Sequence, residues 1–187
     1  MDNLSGELVR LRALRDEDYE YLASLRNDMR TQAWNQRLPP SFTPKRIKER
    51  LEKNFARPNT GVWGIETKDG KLIGYLNYEE DHPRLGATIG ISTGMEAWGK
   101  GYAKEAMELT IRFLFEERGL QVVSLWTTSW NARMVGLAGK LGFKISVRLR
   151  EDVILGGKVY DTLMMDMLRE EYHASRGLKD GLPVLGK

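Results

Sequence analysis

The sequence predicts an α/β fold built on a mixed, mostly antiparallel sheet, and three features carry that expectation. Stretches that alternate apolar with polar residues gather before residue 93 and return after residue 144. Between them lie two stretches with apolar residues at helical spacing. The apolar run Gln121 to Thr127 separates the two as a buried strand would. Strands followed by helix, strand, helix and a closing hairpin make an α/β architecture. With 187 residues, 41% of them hydrophobic, and no shift in composition along the chain, one domain over residues 1–175 is expected, with a loose tail at 176–187.

In order, Leu8 to Arg12 alternates apolar with charged residues as a half-buried strand. Arg15-Asp-Glu-Asp18 then opens a helix to about Arg26, with acids in its first turn. Asn27 to Pro40 is irregular. Thr43-Pro44 reads as the N-cap and first residue of a helix ending near Phe55. Gly61 to Thr67 and Lys71 to Tyr78 are strands joined by a turn at Asp69-Gly70, Glu79 to Pro83 is an acidic loop, and Ala87 to Thr93 is the next strand. The helix from about Gly101 to Arg118 has one apolar face and stops at Gly119. After the Gln121–Thr127 strand, a second helix runs from Asn131 to about Leu141. A hairpin then pairs Lys144–Ile154 with Lys158–Met167, and Leu168 to Ser175 reads as a closing helix.

The chemistry concentrates between Thr93 and Ala103. A strand stops, a short loop follows, and Trp98-Gly99-Lys100-Gly101 leads into a long helix. The first N–H groups of a helix have no partner within it and lie at the positive end of its dipole, so this is a place for phosphate. Gly99 and Gly101 let a ligand reach the backbone, and Lys100 adds charge. A glycine pair before a helix is also simply a tight turn. The P-loop and dinucleotide fingerprints do not fit, because the required Gly-Lys-Ser/Thr ending is absent and Lys104 stands where a third glycine belongs.

Trp98-Gly-Lys-Gly-Tyr-Ala103 resembles the acyl-CoA signature of the GNAT superfamily of N-acetyltransferases, and Asn131 to Gly142-Phe143 resembles that superfamily's second hallmark, an Asn opening a helix that ends in Gly-Phe. The resemblance covers roughly Glu7 to Asp166. Trp98 stands where the general signature has Gln or Arg. The form Trp-Gly-Lys-Gly-Tyr-Ala is similar to the branch containing ribosomal-protein N-terminal (alanine or serine) acetyltransferases. The resemblance implies a GNAT-like twisted sheet with helices on both faces and a splayed central strand pair. Acetyl-CoA would lie in the splay, its amides on the backbone of Ile91, Ser92 and Thr93. Its pyrophosphate would meet Trp98, Gly99, Lys100, Gly101, Tyr102 and Ala103, with Asn131 on the cofactor arm and Arg133 near a phosphate. Helix capping alone also explains Asn131, and a solvated helix face also explains Arg133. Trp34, Asn35 and Arg37 would lie on the acceptor side, where packing under a loop is the competing explanation for Trp34.

By the same resemblance, a neutral amine attacks the acetyl thioester directly, which calls for a base, an oxyanion donor and a proton source for the thiolate. Thr88 stands where many members carry a glutamate, Ala138 where many carry a tyrosine, and Met134 where some carry a hydroxyl. The remaining base candidates are Glu79 and Glu80, which also read as a solvated acidic loop, and the acid candidates are Ser129 and Tyr160. Backbone N–H near Thr93 would serve the oxyanion, and positioning would supply much of the rate. With those positions empty, an acyl-CoA-binding sensor or interaction module on the same fold is the alternative to an enzyme.

Other classes are disfavoured. The 29 basic and 26 acidic residues, net +3, are interspersed without the basic stripe of a nucleic-acid binder. The absence of cysteine removes disulfides and thiolate nucleophiles, and two histidines far apart, His82 and His173, read as surface residues and give no metal site. No apolar run approaches the roughly 20 residues that span a bilayer, and the start lacks a signal-peptide pattern, so a cytoplasmic protein without membrane partners is expected. The expected partner is a small amine or a peptide or protein N-terminus, and the chain itself in a homodimer.

Overall fold

The computed structural model describes residues 4–32, 41–81 and 85–177. Trp34, Asn35, Arg37 and His82 fall outside them. The strands are β1 (Val9–Arg12), β2 (Thr60–Thr67), β3 (Leu72–Asp81), β4 (Gly86–Thr93), β5 (Val122–Thr128), β6 (Lys144–Leu155) and β7 (Lys158–Leu168). They form one sheet in the order β1-β2-β3-β4-β5-β7-β6, in which only β4 and β5 run parallel. The mixed, mostly antiparallel α/β sheet expected from the sequence is therefore present. A parallel pair needs a crossover, and α4 (Tyr102–Arg112) supplies it.

Helices cover both faces. On one, α1 (Asp18–Asn27) and α3 (Pro44–Phe55) bury Leu22, Leu25, Ile47 and Leu51 against Leu72 and Tyr75. On the other, α4 and α5 (Ala132–Leu141) close a larger core over Ile65, Leu76, Ile89 and Leu125. Met107 at its centre is 1% exposed, and truncating it to alanine would cost about 2–5 kcal/mol through the cavity left behind.

Local signals account for most boundaries. Thr43 Oγ1 accepts from Arg46 N at 3.2 Å, with Pro44 opening α3. Asn131 caps α5 in the same way, accepting from Met134 N at 3.1 Å, and Gly142 ends it in the left-handed region. Beyond Arg112 the helical path widens into a π turn, Phe113–Glu117, where Arg118 N donates to Phe113 O. A short helix α2 (Met29–Gln32) follows α1 inside the stretch expected to be irregular, and Gln32 buries its amide against Leu25 O. The closing helix α6 (Arg169–Ser175) packs inward. His173, expected at the surface, is 7% exposed beside Tyr172, because this short helix turns that side toward the core.

The charged positions of β1 are not solvent decoration. Arg10 and Arg12 both donate to the carboxylate of Glu66, which is 1% exposed, and Arg12 also grips Asp18 at 2.7 and 3.0 Å. This network bolts β1 and β2 to the start of α1.

Candidate active site

β4 and β5 hold register for only three pairs, ending at Thr88 opposite Ser124, whose hydroxyls lie 3.1 Å apart. Beyond that point the strands part. Each keeps its other neighbour, β4 pairing with β3 through Thr93 and β5 with β7 through Thr128, so the edges facing the gap carry backbone groups not paired across it. The gap opens into a cavity of about 470 Å³. Ile89, Ile91, Leu125 and Met107 line it from the α4 side, and Tyr75, Asn77 and Arg26 from the α1 side.

A second cavity, about 120 Å³, adjoins it and shares Ile91, Ser92, Asn131 and Met134. Thr93, Trp98, Ala103 and Arg133 also line this one. Of the residues expected to hold a cofactor, seven thus meet around one continuous groove. Gly99, Lys100, Gly101 and Tyr102 do not line it; they form the loop and helix start beside it. Gly99 and Gly101 have φ of 74° and 83°, a left-handed backbone that L side chains rarely adopt. A Cβ at Gly101 would also press on Leu8 at 3.2 Å.

Contacts fix this loop from several directions. Arg133 stacks its guanidinium 3.9 Å from the centroid of the Trp98 ring. Tyr21 on α1 donates to Glu96 at 2.7 Å, and burial with the Glu96 carboxylate holds its phenol far above the ordinary range, so it stays a donor. Glu105, in the first turn of α4, accepts from the backbone N–H of Glu7, Leu8 and Val9 at 2.7–2.8 Å. These three bonds tie the first turn of α4 to the start of β1.

The acid and base candidates are not brought together. Glu80 points to the α4 face, is 2% exposed and accepts from Arg118 at 2.6 and 3.0 Å. The expectation of a solvated loop fails there, because β3 continues through Asp81 and carries Glu80 into the sheet. Glu79 is exposed on the opposite face, beside Thr88, and pairs with Arg57. Ser129 accepts from Asp161 N at 3.0 Å, and Tyr160 packs its ring 5.2 Å from that of Trp130. None of the four lines either cavity.

Thr128 does. Its hydroxyl is buried and has no hydrogen-bond partner, which is costly unless a ligand supplies one. Sequence reasoning missed it, along with Arg26, Tyr75 and Asn77. Only Asn77, a polar residue within an apolar strand, carried a visible signal.

Residues 9–144 match the acetyltransferase (GNAT) domain family. The chain belongs to the GNAT family. This GNAT acetyltransferase is 30% identical over 177 residues, 92% of its length and 97% of the relative's, to the SPbeta prophage-derived uncharacterized N-acetyltransferase YokL of Bacillus subtilis. It is 24% identical over 178 residues, 91% of each chain, to the spermidine N(1)-acetyltransferase of Escherichia coli. In fold it superposes on the spermidine N-acetyltransferase of Vibrio cholerae, solved with CoA and spermine, with a TM-score of 0.79 at 22% identity, covering 88% of this chain and 97% of that one. The parted β4 and β5 are this GNAT fold's splayed pair. No helix among the described residues is long and apolar enough to cross a membrane, and no group of three or more candidate metal ligands occurs among them.

Proposed function

We propose that this GNAT protein transfers acetyl from acetyl-CoA to a primary amine, either a small amine or the N-terminus of a peptide. The observation that carries the reading is the splay of β4 and β5 opening directly beside the Trp98–Ala103 loop. The groove fits the cofactor. It offers unpaired strand edges for the amides of an extended arm, an orphaned Thr128 hydroxyl, and a glycine-shaped helix start for a pyrophosphate. In this reading Ile91, Ser92 and Thr93 meet the arm, and Trp98 through Ala103 with Arg133 meet the phosphates. Asn131 lines the groove with its side-chain oxygen committed to capping α5, which leaves its NH2 group as the donor for the arm in this reading.

Acetyl-CoA held there would supply an activated acyl group, the amine taking the acetyl in place of the thiol, with one proton given up by the amine and one taken by the departing thiolate. The protein's part is mainly to orient the amine and exclude water. Glu79 is the remaining base candidate, working through water from the α1 face. Glu80, Ser129 and Tyr160 act through structure in this reading. The likeness of Trp-Gly-Lys-Gly-Tyr-Ala to the ribosomal-protein branch supports a peptide N-terminus among the acceptors. A homodimer has an available surface in Ile145, Ile154 and Val159, all exposed on the terminal hairpin.

The test is thermal melting with acetyl-CoA, CoA and ATP, since a ligand bound only by the folded state adds about 2.7 kcal/mol at a hundred times its Kd. Stabilisation by acetyl-CoA and CoA, lost in Gly101→Glu, is expected, followed by thiol release with an amine. Stabilisation without turnover of any amine would favour the sensor; no stabilisation at millimolar acetyl-CoA would sink both.

A further inference from the structure

We infer that the acceptor amine also carries a carboxylate, and that Arg26 receives it. The inference rests on the N-acetyltransferase reading and adds the acceptor's charge to it.

The cavity passes through the sheet. Met107 and Leu125 face α4, whose start carries the phosphate loop; Tyr75, Asn77 and Arg26 lie on the α1 face. A cofactor entering beside α4 therefore leaves the α1 side to the acceptor, and on that side Arg26 is the charged lining residue among those described. No carboxylate lines either cavity among the described residues. Two carboxylates on this side of the sheet are already engaged, Glu79 with Arg57 and Glu96 with Tyr21.

Arg26 does not stand alone. The guanidinium carbons of Arg26, Arg46 and Arg50 lie 5.7, 5.1 and 5.6 Å from the centroid of the same Phe42 ring. Phe42 is held in place by Asn27, which donates to its carbonyl at 2.8 Å and accepts from its N–H at 2.7 Å. Arg26 and Arg46 thus add positive charge around this ring, and of the three arginines Arg26 is the one that also lines the cavity, so the potential there favours an anion. Neither Arg26 nor Arg46 has an ion-pair partner among the described residues. A guanidinium presents a planar fork that matches a carboxylate, whereas a polyamine would bring its second ammonium against Arg26 with no acid to receive it.

The experiment measures steady-state thiol release with glycylglycine and triglycine, each as free acid and as C-terminal amide, with spermidine alongside. The wild type, Arg26→Gln and Arg26→Lys are compared, with CoA affinity and melting temperature measured on each. The free acids are expected to have KM values about tenfold or more below their amides, and Arg26→Gln to bring that ratio close to one through KM rather than kcat. Arg26→Lys, which keeps charge but loses the fork, should retain part of the ratio. If Arg26→Gln does not fold, the exposed Arg46→Gln should show a smaller fall in the same ratio. Preference for the amides or for spermidine, or a ratio untouched by either substitution, would overturn the inference and leave the N-acetyltransferase standing. No turnover of any probe with CoA binding intact would overturn both.

Discussion

The guanidinium of Arg133 lies 3.9 Å from the centroid of the Trp98 ring, so the first turn of α5 is stacked on the loop that precedes α4. These two segments form the walls of the smaller cavity, and the stack fixes their separation. Arg133→Gln removes a cation–π contact of about 1 kcal/mol and a charge facing the proposed phosphates. CoA affinity should fall by five- to tenfold in titration calorimetry, and the Trp98 contribution to the CoA-dependent fluorescence change should shift. Equal affinity in wild type and variant would remove Arg133 from the cofactor site.

Thr128 gives a prediction with opposite signs for stability and activity. Its buried hydroxyl has no partner, so replacing it with the near-isosteric valine removes a desolvation cost. Thr128→Val should melt at the same temperature as the wild type or higher, by up to ~1 kcal/mol, while kcat/KM falls about tenfold. A variant that loses stability would show that the hydroxyl is satisfied in the free protein.

How far such features could be read from the sequence depends on their range. Thr43, Asn131, Gly101 and Gly142 act on their own helix ends, so residue type and spacing predict them. The Trp98–Ala103 loop was legible for the same reason. Arg26, Tyr75 and Thr128 meet only because β4 and β5 part and α1 lies across the opening, a relation spanning about a hundred residues that no local pattern carries. Glu79 and Glu80 show the limit most clearly. They are neighbours in an acidic run, yet the two-residue period of β3 sends them to opposite faces, one exposed and one sealed against Arg118.

The network on β1 sets the behaviour in acid. Burial on its own raises the pKa of Glu66 and Asp18, but hydrogen bonds outweigh it, from Arg12 and Arg10 for Glu66 and from Arg12 and Arg15 N for Asp18, so both end below the ordinary carboxylate range. A depressed folded-state value stabilises above the unfolded value, and that contribution is lost as pH falls through the folded one. Melting temperature should therefore hold from pH 7 to 5 and drop below about pH 4. Glu66→Gln should melt lower at pH 7, by roughly 3 kcal/mol for a broken buried pair, and show a shallower acid slope. An unchanged slope would place the acid sensitivity elsewhere.

Glu79 and Glu80 can be separated by what their loss affects. Glu80 is buried against Arg118, and Glu80→Gln leaves that guanidinium with a weakened partner, so the variant should lose about 1–3 kcal/mol of stability with little change in the pH dependence of kcat. Glu79 is half exposed and its pair with Arg57 is worth little, about 0–1 kcal/mol, so Glu79→Gln should melt almost as the wild type does. If Glu79 takes the amine proton through water, kcat of Glu79→Gln falls by about a hundredfold and the acidic limb of the kcat profile disappears. If kcat and its profile survive, the amine loses its proton to bulk water before binding, and catalysis rests on orientation along the parted strands alone.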